Sequence, residues 1–395
     1  MVHGARLLTI NACCLASGLQ NANLPELMIF SSLGLLAFEL WLAFSFLPAW
    51  LAWLGVPAAY LLSVAGGSSV ARMVGGLLSL ATGSHDFKHE RLSALADCFA
   101  DYDVVAVQEC FGCTAFSGNP DHLIELAAAR GLRFAVRPPR VERPSCCMDS
   151  GLLILSRWPI RRHEHLVFRR QFFFEALGAN RGACFALVEA PPADPAAPGA
   201  PPLAPRLQHI FTCHIMPSYT GLMPLLPAWM QRRADGVRAD QCVELAGFVR
   251  RHWDHTLGGC VALGDFNAHL RIDASGALQS QEHPTAQGLR LATRSMEAAG
   301  LVDASDGAWQ PTCGYPDEVL LTSTKQRASL RQTPLLEDLV FVDVQCAARL
   351  RTRGERSRSV SMARRGAQHA EARAGRAAKR SWTHMSDHWG VELRL

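Results

Sequence analysis

The chain carries little net charge for its length, +4 over 395 residues. That is too mild a field to imply nucleic-acid binding on its own. It also lacks a cysteine rhythm for zinc. Its 13 cysteines are odd in number and scattered, with adjacent pairs at Cys13-Cys14 and Cys146-Cys147. Cys110-Phe-Gly-Cys113 has no second pair at finger spacing, so the thiols read as reduced, in a domain facing the cytosol. No signal-peptide pattern opens the sequence, because the first apolar stretch carries Asn11 and reads as a core strand. The most telling absence is local: no charged residue occurs anywhere in 40–70.

That gap lies within an apolar stretch, 24–83, whose only charges are Glu26, Glu39 and Arg72. A helix crosses a bilayer with about 20 apolar residues, so the stretch is long enough. Trp41, Trp50, Trp53 and Tyr60 suit an interface, and Pro48 and Pro57 suit a helical hairpin or a re-entrant element. The alternative is a buried hairpin of a soluble core; the length and Trp/Leu content favour a membrane-associated helical insertion. The opposite extreme is 349–380, crowded with arginine against only Glu355 and Glu371. It reads as a basic, flexible loop that can meet anionic lipid headgroups. It has no aromatic residues to stack on bases, so no nucleic acid is expected. The Pro/Ala-rich 190–205 reads as a long surface loop.

Elsewhere the pattern alternates between strands and helices. Strands are expected at 5–10, 103–108, 151–156, 183–189, 208–213, 260–264, 337–344 and 389–394. Helices are expected at 88–102, 238–254 and 285–299, the last stopped by Gly300. Polar islands close several of the strands: Asn11, Gln108-Glu109, His214 and Gly264-Asp-Phe-Asn267. Ser386-Asp-His388 precedes the last. Islands rich in hard oxygen and imidazole groups, gathered from distant parts of one chain, suggest a single site. Asp265 and Asn267 alternate, so both face one way if the strand continues; an Asx turn is the competing reading.

In this order, Asn11, Gln108-Glu109, His214, Gly264-Asp-Phe-Asn267 and Ser386-Asp-His388 resemble the endonuclease/exonuclease/phosphatase superfamily. Asp149-Ser-Gly with Ser156-Arg-Trp-Pro-Ile160, Arg238-Ala-Asp-Gln241 and Pro311-Thr-Cys313 resemble its neutral sphingomyelinase branch. The resemblance spans roughly 1–12 and 86–395. It implies a four-layer α/β sandwich of the DNase I-like type, with a discontinuous catalytic domain over 1–23 and 84–395 interrupted by the insertion at 24–83.

The resemblance further implies Mg²⁺-dependent, phospholipase C-type cleavage of sphingomyelin or a related sphingophospholipid, with Mn²⁺ as a substitute ion. Glu109, Asn11, Asp265 and Asp387 are the expected metal or water ligands. His388 is the expected general base, oriented by Asp338. His214 is expected to stabilise the transition state or protonate the leaving oxygen, and Asn267 and Arg181 to hold the phosphate. Arg181 stands where the family carries lysine. The rivals are a nuclease or phosphoinositide phosphatase of the same superfamily, and a membrane scaffold with a degenerate site. The substrate is expected in a membrane, with the catalytic domain on the cytosolic side.

Overall fold

The computed structural model describes residues 5–14, 88–112, 119–139, 149–172, 179–192, 205–217, 228–271, 286–310, 312, 335–360 and 390–395. In chain order the elements are β1 (Arg6–Cys14), α1 (Lys88–Phe99), β2 (Val104–Cys110), α2 (Asn119–Ala128), β3 (Phe134–Val136), β4 (Leu153–Ser156), β5 (Ile160–Val167), β6 (Gly182–Ala190), β7 (Arg206–His214), α3 (Ala228–His252), β8 (Gly258–Arg271), α4 (Ala286–Ala298), β9 (Leu301–Asp303), β10 (Leu335–Asp343), α5 (Val344–Arg353), β11 (Arg358–Val360) and β12 (Gly390–Arg394). They build two six-stranded sheets, ordered β11-β12-β1-β2-β4-β3 and β5-β6-β7-β8-β10-β9.

Side-chain alternation along the strands explains the layering. In β1, Leu8, Ile10 and Ala12 pack under α1 and α2, in a cluster with Leu92, Leu95, Phe99 and Leu123. Leu7 points the other way, into an inter-sheet core with Val104, Ala106, Ile210, Val261, Leu263, Val340 and Val342. The outer face of the second sheet, through Phe185, Phe211, Phe266 and Phe341, packs on α3 and α4. Both sheets are therefore buried on both faces, and the result is the expected four-layer α/β sandwich. Each large apolar side chain buried in this way contributes roughly 1.5–3 kcal/mol.

Two expectations change. The helix anticipated from 238 begins at Ala228. The arginine-rich stretch starts in ordered structure: Arg349, Arg351 and Arg353 lie on α5, and Arg358 opens β11. Asp343 caps the start of α5 by accepting from the amide of Cys346, and Gly354 ends it in the left-handed conformation (φ 65°). Charge density hid these caps, because a solvated face and a loop have the same composition. Residues 361–380 of that stretch lie outside the described residues, as do 15–87, which contain the apolar insertion. Among the described residues, no helix is long and apolar enough to cross a membrane.

Candidate active site

The inter-sheet core turns polar at one end, and it does so in register. On β1, Leu7 is followed on the same face by Thr9 and Asn11. On β2, Val104 and Ala106 are followed by Gln108. On β7, Ile210 leads to Thr212 and His214, and on β8, Val261 and Leu263 lead to Asp265. On β10, read backwards, Val342 and Val340 lead to Asp338. These polar side chains are all nearly inaccessible to solvent. Burying them forgoes the apolar contribution and costs free energy unless each is hydrogen-bonded, so a fold that places them together spends stability on chemistry.

The second sheet aligns them in one row. Gly182 pairs with His214, His214 with Asp265, and Asp265 with Asp338. Asn11 reaches across from the first sheet and donates through Nδ2 to Asp265 Oδ2 at 2.9 Å. His214 Nε2 lies 3.6 Å from the same oxygen and 3.7 Å from Glu109 Oε1. Strict alternation would send Glu109 to the outer face with Val105 and Val107. Its left-handed backbone (φ 55°) breaks the alternation and brings its carboxylate to the seam. Ligand atoms of Glu109, His214 and Asp265 all lie within 4.8 Å of one another. Two carboxylates converging in this way repel unless a cation sits between or beside them. Their hard oxygens, with the Asn11 amide and the imidazole at hand, form a donor set that suits a divalent metal ion.

Local geometry explains the Gly-Asp-Phe-Asn motif. Gly264 has φ 153°, and a Cβ there would meet Cys213 O at 2.4 Å, so β7 and β8 approach closely only with glycine. β8 continues to Arg271, as Asp265 and Asn267 require to share a face. The Asx reading holds as well: Asn267 N donates to Asp265 Oδ1 at 2.8 Å. One carboxylate oxygen thus fixes the turn while the other faces the seam. Asn267 (φ 47°) also donates through Nδ2 to Ile215 O at 2.8 Å, tying β8 to the residue after His214.

Arg181 comes to the same place. Its Nη1 lies 2.6 Å from His214 Nδ1. Its backbone is held on both sides by Gln171, which accepts from Arg181 N at 3.1 Å and donates to Arg181 O at 2.8 Å. A guanidinium beside an imidazole, on a backbone held in place, is a ready partner for a phosphate.

Composition did not expose every supporting residue. Gln108 donates to Thr9 Oγ1 at 3.0 Å and to Thr212 Oγ1 at 2.9 Å, joining the sheets directly beneath the site. The signal was there in the two-residue steps Thr9–Asn11 and Thr212–His214. Thr312, from Pro311-Thr-Cys313, accepts from the amides of Glu337 (3.0 Å) and Asp338 (3.1 Å), filling a bulge in β10 that aims Asp338 into the row. Behind Glu109, Asp149 Oδ1 accepts from Gly112 N at 2.9 Å and Gly151 N at 2.8 Å. Burial pushes the Asp149 pKa up to about 6. Asn11, Glu109, His214, Asp265, Asn267, Arg181 and Asp338 are brought to one end of the sandwich; Asp387 and His388 lie outside the described residues.

No protein-family model matches the chain, and no curated protein matches it in sequence. Solved structures do. It is similar to β toxin from Staphylococcus aureus, with TM-score 0.51 at 15% identity, over 78% of this chain and 92% of that one. A mutant of the same toxin, solved with bound magnesium ions, gives 0.49 at 15% over the same shares. Sphingomyelinase C from Streptomyces griseocarneus gives 0.45 at 15%, again over 78% and 92%. At this identity the likeness is one of fold.

Proposed function

We propose that this chain is a metal-dependent phosphodiesterase of the sphingomyelinase branch, which cleaves sphingomyelin or a related sphingophospholipid to ceramide and a phosphorylated headgroup. The observation that carries the reading is the convergence of Glu109, Asp265, Asn11, His214 and Arg181 at the polar end of the inter-sheet seam. Glu109 and Asp265, with Asn11, would hold Mg²⁺ or Mn²⁺. A bound divalent ion neutralises charge on the phosphoryl oxygens.

The chain's own groups do the rest. Arg181 binds a phosphate oxygen, and one N–H of the Asn267 amide helps hold it. His388 takes the proton of the attacking water, with Asp338 fixing its tautomer. His214, already beside two carboxylates, donates a proton to the departing alkoxide. Asp387 serves as a further metal or water ligand.

The membrane reading rests on sequence and topology. The uncharged 40–70 belongs to a stretch that follows β1 in sequence, and Asn11 lies near the end of that strand. A bilayer-seeking segment there would place the site at the lipid surface, with the domain on the cytosolic side. Arginines of 349–380 add attraction for anionic lipids.

Incubation with a mixed lipid extract, Mg²⁺ and mass-spectrometric detection of products tests the reading. Ceramide and phosphocholine are expected, abolished by EDTA and restored by Mg²⁺ or Mn²⁺. Glu109→Gln should lose most turnover while staying folded. Release of nucleotides from nucleic acid, or of inorganic phosphate from phosphoinositides, would transfer the chain to a rival hydrolase class. No turnover with any of them would make it a scaffold.

A further inference from the structure

Helix α3 carries an Arg-x-x-Gln pair that the proposed chemistry does not use. Arg238 is 5% exposed and Gln241 is fully buried. Gln241 accepts from the amide of Met216, two residues past His214, at 2.9 Å. Its side-chain amide donates to Arg170 O at 3.0 Å. The next residue, Gln171, is the one that holds the backbone of Arg181. Arg238 donates through Nη2 to Asn267 O at 2.5 Å. One turn of one helix therefore touches the residues just past β7, the Asn267 position of β8 and the segment that leads to Arg181.

We propose that Arg238 and Gln241 are positioning residues that hold His214, Asn267 and Arg181 in one mutual geometry for phosphodiester cleavage; the proposal rests on the function assigned above. A purely structural role fits the arrangement less well. Burying a guanidinium costs several kcal/mol, and an apolar side chain of similar volume often serves a helix–sheet contact as well or better. Among the described residues, Arg238 Nε is buried without a hydrogen-bond partner. The fold also yields space to it. A Cβ on Gly288 of α4 would meet Arg238 Nη2 at 2.5 Å and Ala268 O at 3.2 Å, so any larger residue there would push the guanidinium aside. Arg238 donates to the main-chain carbonyl of a site residue, Asn267, and Gln241 accepts from the main-chain amide two residues past His214. Asn267, the residue Arg238 grips, has a left-handed backbone (φ 47°). Asparagine tolerates that conformation better than most residues, and the bond to its carbonyl helps to hold it there.

The test uses the full-length protein, p-nitrophenyl phosphocholine as a soluble probe with Mg²⁺, and amide hydrogen exchange. Arg238→Met and Gln241→Met each remove the bonds at similar volume. Each is expected to lower kcat about 10–100-fold, the scale of an ångström-sized misplacement, with KM changed less than threefold. Exchange should accelerate in peptides covering 212–217 and 264–268 and stay unchanged in β2 and β4. Arg238→Lys, which keeps a cation and a donor, should recover most of the turnover. If Arg238→Met does not fold, Gln241→Met carries both readouts. Folded Met variants with kcat within twofold of the parent, or exchange rising evenly across both sheets, would overturn the brace. A parent protein with no phosphodiesterase activity removes the proposed function instead, and the exchange pattern still decides the brace on its own.

Discussion

Asn11 and Asp265 are 254 positions apart in sequence and share a 2.9 Å hydrogen bond that crosses from one sheet to the other. The bond is buried, its acceptor is a carboxylate, and the same oxygen faces His214. Neither strand end is a site alone; the bond marks where the two become one.

The Asn11–Asp265 pair should be energetically coupled. Asn11→Ala is expected to destabilise the metal-free protein by about 1–3 kcal/mol, the usual cost of leaving a buried acceptor unmet. In a double-mutant cycle with Asp265→Asn, urea unfolding should give a non-additive term of roughly 0.5–3 kcal/mol. Additivity within experimental error would show that the contact contributes nothing.

Gln108 should behave as a staple. Gln108→Leu leaves the hydroxyls of Thr9 and Thr212 buried without it and should cost about 1–3 kcal/mol. Adding Thr9→Val and Thr212→Val should return most of that stability, because replacing every partner by an apolar group of similar shape is close to neutral. A triple variant less stable than Gln108→Leu contradicts this account of the inter-sheet bridge.

Asp149 and His165 should give opposite pH responses. Burial raises the Asp149 pKa from 3.8 to about 6, and burial lowers that of His165 from 6.5 to about 4. Asp149 binds its proton more tightly when folded, so its contribution is full below pH 4 and is lost as pH rises through 6. His165 binds its proton less tightly when folded, so its contribution is full above pH 6.5 and is lost as pH falls through 4. Each effect is roughly 3 kcal/mol. Asp149→Asn should therefore make the protein more acid-sensitive between pH 6 and 4, and His165→Asn less so, in denaturant titrations at each pH. Parallel pH profiles for both variants and the parent would contradict it.

Asp338 and His388 should act together. His388→Ala and Asp338→Asn are each expected to reduce turnover by about 10²–10⁴-fold, the range for a positioned base, with the loss of the imidazole the larger. Combining them should cost little more than His388→Ala alone. Normal turnover in both single variants would place the proton acceptor elsewhere.

Much of the fold and of the site is legible in the sequence. The polar islands that close β1, β2 and β7 and interrupt β8 show where the apolar pattern gives way to chemistry. Strands and helices with apolar stripes, such as α1 and α4, are readable because burial writes its period into the sequence. β5 is not, because its exposed Arg161-Arg-His-Glu164 run alternates nothing. α5 is hidden among arginines.

Sequence by itself determined the polar residue set, which residue chemistry at strand ends exposes, and the order of those motifs implied the sandwich class through its family resemblance. Only the tertiary structure decided which groups meet. The register of His214, Asp265 and Asp338 across β7, β8 and β10, the left-handed turn of Glu109, and the reach of α3 to Asn267 and Met216 are contacts between segments far apart in the chain. Such contacts depend on strand order and packing distance, and no local pattern encodes either.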